Sequence, residues 1–215
     1  MEISYKEIRE NARRRLKGNW NLAILISLVY SFVGVIGDFM PESSSIWFTI
    51  LSAISNGLFI FGYTVIILHI VRGEDTEFLE IFDGCRRFLK GLGMTLVVGI
   101  YTALWTLLLI VPGIIATIKY SMTFYIWVDN PDIGIDEAIS LSIEMTDGHK
   151  LEIFKLALSF IGWIALIVVP AIVVGFWSTQ YSLLIMSLGI IFITPYIEVS
   201  MGIFYNKLIK ERESR

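Results

Sequence analysis

The chain has 215 residues, 55% hydrophobic and 17% charged, with 17 Lys+Arg against 20 Asp+Glu. A soluble domain of this length carries roughly 25% charged residues. Here the mean hydropathy is +0.71, and the apolar residues gather into runs near the bilayer-spanning length of about 17–25 residues. No room is left for a separate soluble domain. The single cysteine, Cys85, excludes an intramolecular disulfide and a multi-cysteine metal site.

Residues 3–17 predict an amphipathic helix, with Tyr5, Ile8, Ala12 and Leu16 on one face and Arg9, Arg13, Arg14, Arg15 and Lys17 around the rest. Such a helix reads as an ordinary cytoplasmic flank that obeys the charge rule, ahead of a helix lying on an anionic membrane surface, where each basic residue gains about 1 kcal/mol. No cleavable signal is expected ahead of the first span, 20–37, which Trp20 anchors at the interface. A short turn with Asp38, Pro41 and Glu42 leads to the second span, 46–71. Within it, Ala53 and Gly57 lie four apart and allow a neighbouring helix to approach closely. Residues 75–90 predict a second interfacial helix, with Phe78, Ile81, Phe82, Cys85, Phe88 and Leu89 on its apolar face. Cys85 there reads as packing, ahead of a lipidation or redox site.

The third span, 92–111, meets Pro112-Gly113. A shorter run, 113–128, carries Lys119 and stops at Asp129-Asn130-Pro131-Asp132. At about 24 Å it is short for a crossing. Residues 135–147 predict a third interfacial helix, with Asp136 and Glu137 near its positive end. Spans 156–176, softened at Pro170, and 181–205, interrupted at Pro195 and carrying Glu198, complete the chain.

Charge decides between a hairpin turn and a kink at Pro112-Gly113. With a turn there, the chain crosses six times. The basic residues before Trp20, within 72–91, within 129–155 and after Tyr205 then all share one side, leaving only Lys119 in the membrane. With a kink, everything downstream flips, and ten basic residues stand against six. Positively charged loops stay in the cytoplasm, so six spans with both termini cytoplasmic are expected, in the cell membrane. The order of elements suggests three repeats of interfacial helix plus transmembrane hairpin. Gly18, Gly91 and Gly148 stand at the junctions, and Tyr63, Tyr120 and Tyr196 each precede Gly73, Asn130 and Asn206 by ten residues.

Chemical motifs are absent: the sequence has no HExxH, P-loop, GxSxG or CxxC pattern. His69 and His149 read as interfacial polar residues. Ionisable groups inside spans cost about 2.5–3.5 kcal/mol at a helix centre and mark function or pairing. Lys119 and Glu198 are the two, at similar depth, and are expected to face the bundle interior and to form a candidate pair. The better account is a snorkelling lysine and a neutral, separately hydrogen-bonded interior acid; the alternative is a proton- or ion-linked site or contact with a lipid headgroup. Asp129, Asn130 and Asp132 could face a cation but lack the further ligands of a calcium loop, so a helix stop is the better account. No catalytic residue, cofactor or metal is expected.

Gly18-Asn19-Trp20, Arg72-Gly73-Glu74, Pro112-Gly113-Ile114, Tyr120-Ser121-Met122, Asp129-Asn130-Pro131-Asp132, Gly148-His149-Lys150, Phe160-Ile161-Gly162-Trp163 and Pro195-Tyr196 stand in a recognisable order. The chain resembles the bacterial integral membrane family called domain of unknown function 975, over about residues 5–207. More remotely it is similar to the membrane region of some glycerophosphodiester phosphodiesterases, whose catalytic domain has no counterpart here. The resemblance implies a small multi-span membrane protein and transfers no catalytic residue. The expected role is a non-enzymatic bundle that associates with membrane lipids, with other membrane proteins or with itself, and not with nucleic acid. A small transporter or channel using Lys119 and Glu198 is the alternative, and a lipid-modifying enzyme ranks last.

Overall fold

The computed structural model describes residues 4–38 and 45–213, and among them every regular element is helical. In chain order these are α1 (Tyr5–Leu16), α2 (Trp20–Asp38), α3 (Ser45–Arg72), a 3-10 helix (Phe78–Arg87), α4 (Phe88–Leu108), α5 (Ile110–Tyr120), α6 (Thr123–Asp129), α7 (Ile135–Thr146), α8 (Lys150–Leu158), α9 (Ile161–Gly175) and α10 (Thr179–Glu213). Positions 39–44, most of the predicted first turn, lie outside the described residues.

Five helical stretches are long and apolar enough to cross a membrane: Ile46–Arg72, Phe78–Leu108, Ile110–Asp129, Lys150–Gly175 and Thr179–Glu213. The described apolar part of α2, Trp20–Phe32, is shorter. Much of the surface of these helices is bare hydrocarbon, with Leu107 85% and Ile110 75% exposed. Apolar surface on that scale is compatible with lipid contact. Exposed aromatic residues gather at both ends: Trp20 and Trp163 at one, Trp47, Trp105, Trp177 and Tyr181 at the other. Such rings favour the two membrane–water interfaces.

The hairpin predicted in the middle of the chain is present, but its turn lies earlier. The reversal is at Leu109, which is extended (φ −165, ψ 152). Pro112 sits in the first turn of α5, where a missing N–H costs nothing. Gly113 lets the returning helix touch α4: a Cβ there would collide with Thr106. Further along, Tyr120 meets Tyr101, the ring centroids 6.2 Å apart. The antiparallel pair therefore starts at Ile110, and the 20 residues to Asp129 reach about 30 Å at 1.5 Å per residue. The shortfall expected for 113–128 disappears.

The predicted second interfacial helix differs in kind. Residues 78–87 form a 3-10 helix, entered through a capping box between Glu77 and Glu80. Its period of three turns Phe78, Ile81 and Gly84 inward and leaves Leu79, Phe82 and Cys85 exposed. Cys85 is not packed inside the protein. Close backbone contact with α3 explains the tight winding. A Cβ on Gly62 would strike the carbonyls of Glu80 and Ile81, one on Gly84 the carbonyl of Leu58, and one on Gly91 the carbonyl of Gly57. Gly57 provides close approach as expected, facing Leu92. Gly91 is a packing glycine inside α4, not a junction. The junction glycines with left-handed backbone are Gly18 (φ 100), Gly73 (φ 77) and Gly148 (φ 82).

Two of the predicted interfacial helices spend their apolar faces on the protein itself. In α1, Ile8, Ala12 and Leu16 are completely covered and join the main core with Phe204 and Leu208 of α10. In α7, Ala138, Ile139, Ser142 and Thr146 are buried. A face already covered by protein cannot also insert into lipid. Neither proline breaks its helix: α9 carries Pro170 and α10 carries Pro195 in their interiors.

Candidate functional site

Lys119 and Glu198 do not meet. Glu198, on α10, is partly buried and accepts a 2.6 Å hydrogen bond from the Tyr125 hydroxyl of α6. The Tyr125 hydroxyl also reaches the backbone carbonyl of Glu198, at 3.1 Å. Lys119 lies at the α5–α6 break, on the side of α7 and α8. Its charge acts on Asp147 in the α7–α8 loop, whose carboxyl is held below the usual range chiefly by the hydrogen bond from Lys150, with Lys119 adding to it. Among the described residues no ion pair joins Lys119 to Glu198. Side-chain direction about each helix axis, which depth along the chain does not give, decides this.

The break above Lys119 is stitched by a side chain that sequence reading left unassigned. Between Tyr120 and Thr123 the α-helical ladder is interrupted. Ser142 of α7, fully buried, accepts a hydrogen bond from the Met122 N–H (3.2 Å) and donates to the Lys119 carbonyl (2.7 Å). A second break, at Ser159–Phe160 between α8 and α9, is served by α1. Arg9 donates to the Ser159 carbonyl at 2.9 Å and to the Tyr196 hydroxyl at 3.2 Å. Arg9 is therefore turned into the protein, not out to a membrane surface.

Asp129-Asn130-Pro131-Asp132 ends α6 and gathers the protein's own cations. Arg72 pairs with Asp129 at 2.7 Å, and the Tyr205 hydroxyl donates to the same carboxylate oxygen at 2.9 Å. Arg72 also reaches Asn206 at 3.4 Å, and Lys90 donates to the Pro131 carbonyl at 2.8 Å. The ends of α3, α6 and the polar stretch of α10 are thus tied at one point, and the acid that could have faced a metal ion is already neutralised. Each histidine lies between two carboxylates: His69 at 2.9 Å from Glu80 and 3.6 Å from Glu74, His149 at 2.8 Å from Glu152 and 3.6 Å from Glu211. Among the described residues no group of three or more such side chains could hold a metal ion.

A cleft of about 420 Å³ between α7 and the end of α10 is lined by Glu144, Asp147, His149, Glu211 and Arg212. Its charges pair with one another or with close neighbours, Arg212 with Glu144 at 3.0 Å and Lys150 with Asp147 at 2.6 Å. The unsatisfied site lies elsewhere, on the side of the bundle. A groove of about 340 Å³ runs between α9 and α10. Leu166, Ile167, Gly189, Phe192 and Ile193 form its apolar length, and Arg13, Trp20, Trp163 and Tyr196 frame one end. A shallower recess of about 290 Å³, lined by Arg9, Ser159, Gly162, Trp163 and Leu166, continues it. Arg13 lies 6.0 Å from the centre of the Trp163 ring and 5.7 Å from that of Tyr196, within cation–π range. It has no carboxylate partner among the described residues.

A family model described as a protein of unknown function, DUF975, matches residues 1–118 and 106–213. The chain belongs to this family. No curated protein matches this DUF975 member, and neither does any solved structure. The remoter similarity to phosphodiesterase membrane regions has no support in these comparisons, and the family description assigns no activity.

Proposed function

We propose that this DUF975 protein is a non-enzymatic, multi-span protein of the cell membrane that holds a lipid in the lateral groove between α9 and α10. Six crossings with both termini in the cytoplasm fit best, α2 supplying the sixth. They put every basic residue but Lys119 on one side, together with the end of the bundle that carries Trp20 and Trp163. Three paired units remain the reading, and two of them share a regularity in the packing. Tyr63 meets Ser27 and Tyr30, 36 and 33 positions earlier, and Tyr196 meets Phe160 and Trp163 at the same two separations.

The groove carries the functional reading. It is apolar along its length, opens sideways where a bilayer would lie, and has a cation and two tryptophans at the level of headgroups. Lys119 and Glu198 line none of the cavities described above, which favours the groove over a pathway built on these two residues. The test is to purify the protein into native-lipid discs and measure its tightly retained phospholipid, for wild type and for Leu166→Trp. Leu166 is 67% exposed, so the larger ring fills the groove without disturbing the core. Wild type should retain lipid that the variant loses. Equal retention contradicts the assignment.

A further inference from the structure

We infer that the groove selects phospholipids with an anionic headgroup, and that Arg13 is the residue that reads the charge. The inference rests on the lipid reading just given and names the ligand's chemistry.

Inside a bilayer, moving an acyl chain from lipid into an apolar slot gains little, because the surrounding tails are equally apolar. Selection must therefore come from the polar end. The two arginines there are not equivalent. Arg9 is committed to the Ser159 carbonyl and the Tyr196 hydroxyl. Those bonds fix the wall of the groove and spend its Nε and Nη1 donors. Arg13, one turn further along α1, has its guanidinium over Trp163 and Tyr196 and its donors free among the described residues. A guanidinium held beside aromatic rings still has N–H donors to present, and a planar fork of them matches two phosphate oxygens. The cation stands at one end of the groove and the hydrocarbon wall runs away from it. From Tyr196 down to Gly189 the wall is about 10 Å long at 1.5 Å per residue. A headgroup and the upper part of one chain fit that order of surfaces.

Net headgroup charge separates the candidates. A zwitterionic lipid brings its own ammonium to the phosphate and meets Arg13, Arg9 and the other basic residues of α1 with no net attraction. An anionic lipid gains at both short and long range.

The experiment uses full-length protein stripped of lipid in detergent. It is offered equimolar phosphatidylglycerol and phosphatidylcholine, and retained adducts are counted by native mass spectrometry. Wild type should retain mainly phosphatidylglycerol. Arg13→Gln should lower that preference about fivefold, and Arg13→Lys should lower it less, because it keeps the charge and loses the planar fork of donors. Arg14→Gln is the control: Arg14 shares the helix and turns to Asn11, 2.7 Å away, so the preference should survive. Inorganic phosphate and glycerol phosphate in large excess should not displace the lipid.

An unchanged preference in Arg13→Gln overturns the inference and leaves the lipid reading standing. So does an equal loss in Arg14→Gln, which would reduce the effect to general surface charge. Displacement by free phosphate would make this a soluble-anion site and also overturns the inference. If wild type retains neither lipid, the lipid reading itself fails.

Discussion

Replacing Ser142 with alanine tests how deeply α7 is wired into the bundle. The hydroxyl ties α7 to the α5–α6 break, accepting from the Met122 N–H at 3.2 Å and donating to the Lys119 carbonyl at 2.7 Å. Ser142 and Met122 are both completely covered, so water cannot replace the lost partner at Met122. Each buried backbone group left unpaired costs about 1–3 kcal/mol. The Lys119 carbonyl belongs to a partly exposed residue and should sit at the low end of that range. The sum is about 2–4 kcal/mol of stability. Equilibrium unfolding in mixed detergent, followed by the circular dichroism of the helices, measures it directly. Ser142→Cys, with a weaker donor and acceptor of similar size, should fall between. A Ser142→Ala variant within about 0.5 kcal/mol of wild type, the range of an ordinary surface change, would refute the reasoning. It would mean that α7 rests on the membrane surface and that 110–129 bends without its help.

Four further outcomes follow from the packing and the topology. Gly62→Ala should destabilise by about 3 kcal/mol, because its Cβ meets the backbone carbonyls of Glu80 and Ile81. Gly99→Ala, in open space on α4, should instead stabilise by about 0.5–1 kcal/mol; the same detergent unfolding assay reads both. A double-mutant cycle on Arg72→Ala and Asp129→Ala should give a coupling of about 1 kcal/mol, as expected for a pair 2.7 Å apart with both side chains partly exposed. A coupling near zero would remove the knot that ties α3 to α6. Cys85, exposed in the 3-10 helix, should react readily with a maleimide in detergent. In intact inside-out vesicles a membrane-impermeant maleimide should label it, and in right-side-out vesicles it should not; the reverse pattern would invert the topology.

Five of the six expected spans coincide with long apolar helices, and these are legible because they rest on hydropathy. The reversal between α4 and α5 was legible from charge, but its place was misjudged. Pro112-Gly113 looks like a turn in sequence, yet a proline at the third helical position is equally at home, and the extended residue is an unremarkable Leu109. The apolar face of 78–89 was scored at a period of 3.6. The glycines of α3 draw the backbones together, and the segment winds at a period of three instead, which is why Cys85 faces out. The α1 face, Ile8–Ala12–Leu16, is legible as apolar in the sequence, and the structure covers it with the protein's own core. Periodicity shows that a face is buried and not what buries it.

The groove was legible only in fragments. Trp20 was seen as an anchor and Arg13 as one of several basic residues. That the two meet Trp163 and Tyr196 requires α1, α9 and α10 to be placed together in space. Lys119 and Glu198 lie at comparable depths, but depth along the chain does not give the partner: the Glu198 carboxylate accepts from the Tyr125 hydroxyl.

The most direct test of a lipid held between α9 and α10 is a photo-crosslinking map. A phosphatidylglycerol with a diazirine in its upper acyl chain is added at about one equivalent to delipidated protein in detergent, irradiated, and located by peptide mass spectrometry. The label should concentrate on residues 163–167 and 189–193 and disappear from them in Leu166→Trp. A label spread over the bundle in proportion to exposure, with Leu107 and Ile110 marked as heavily as Leu166, would contradict a specific groove.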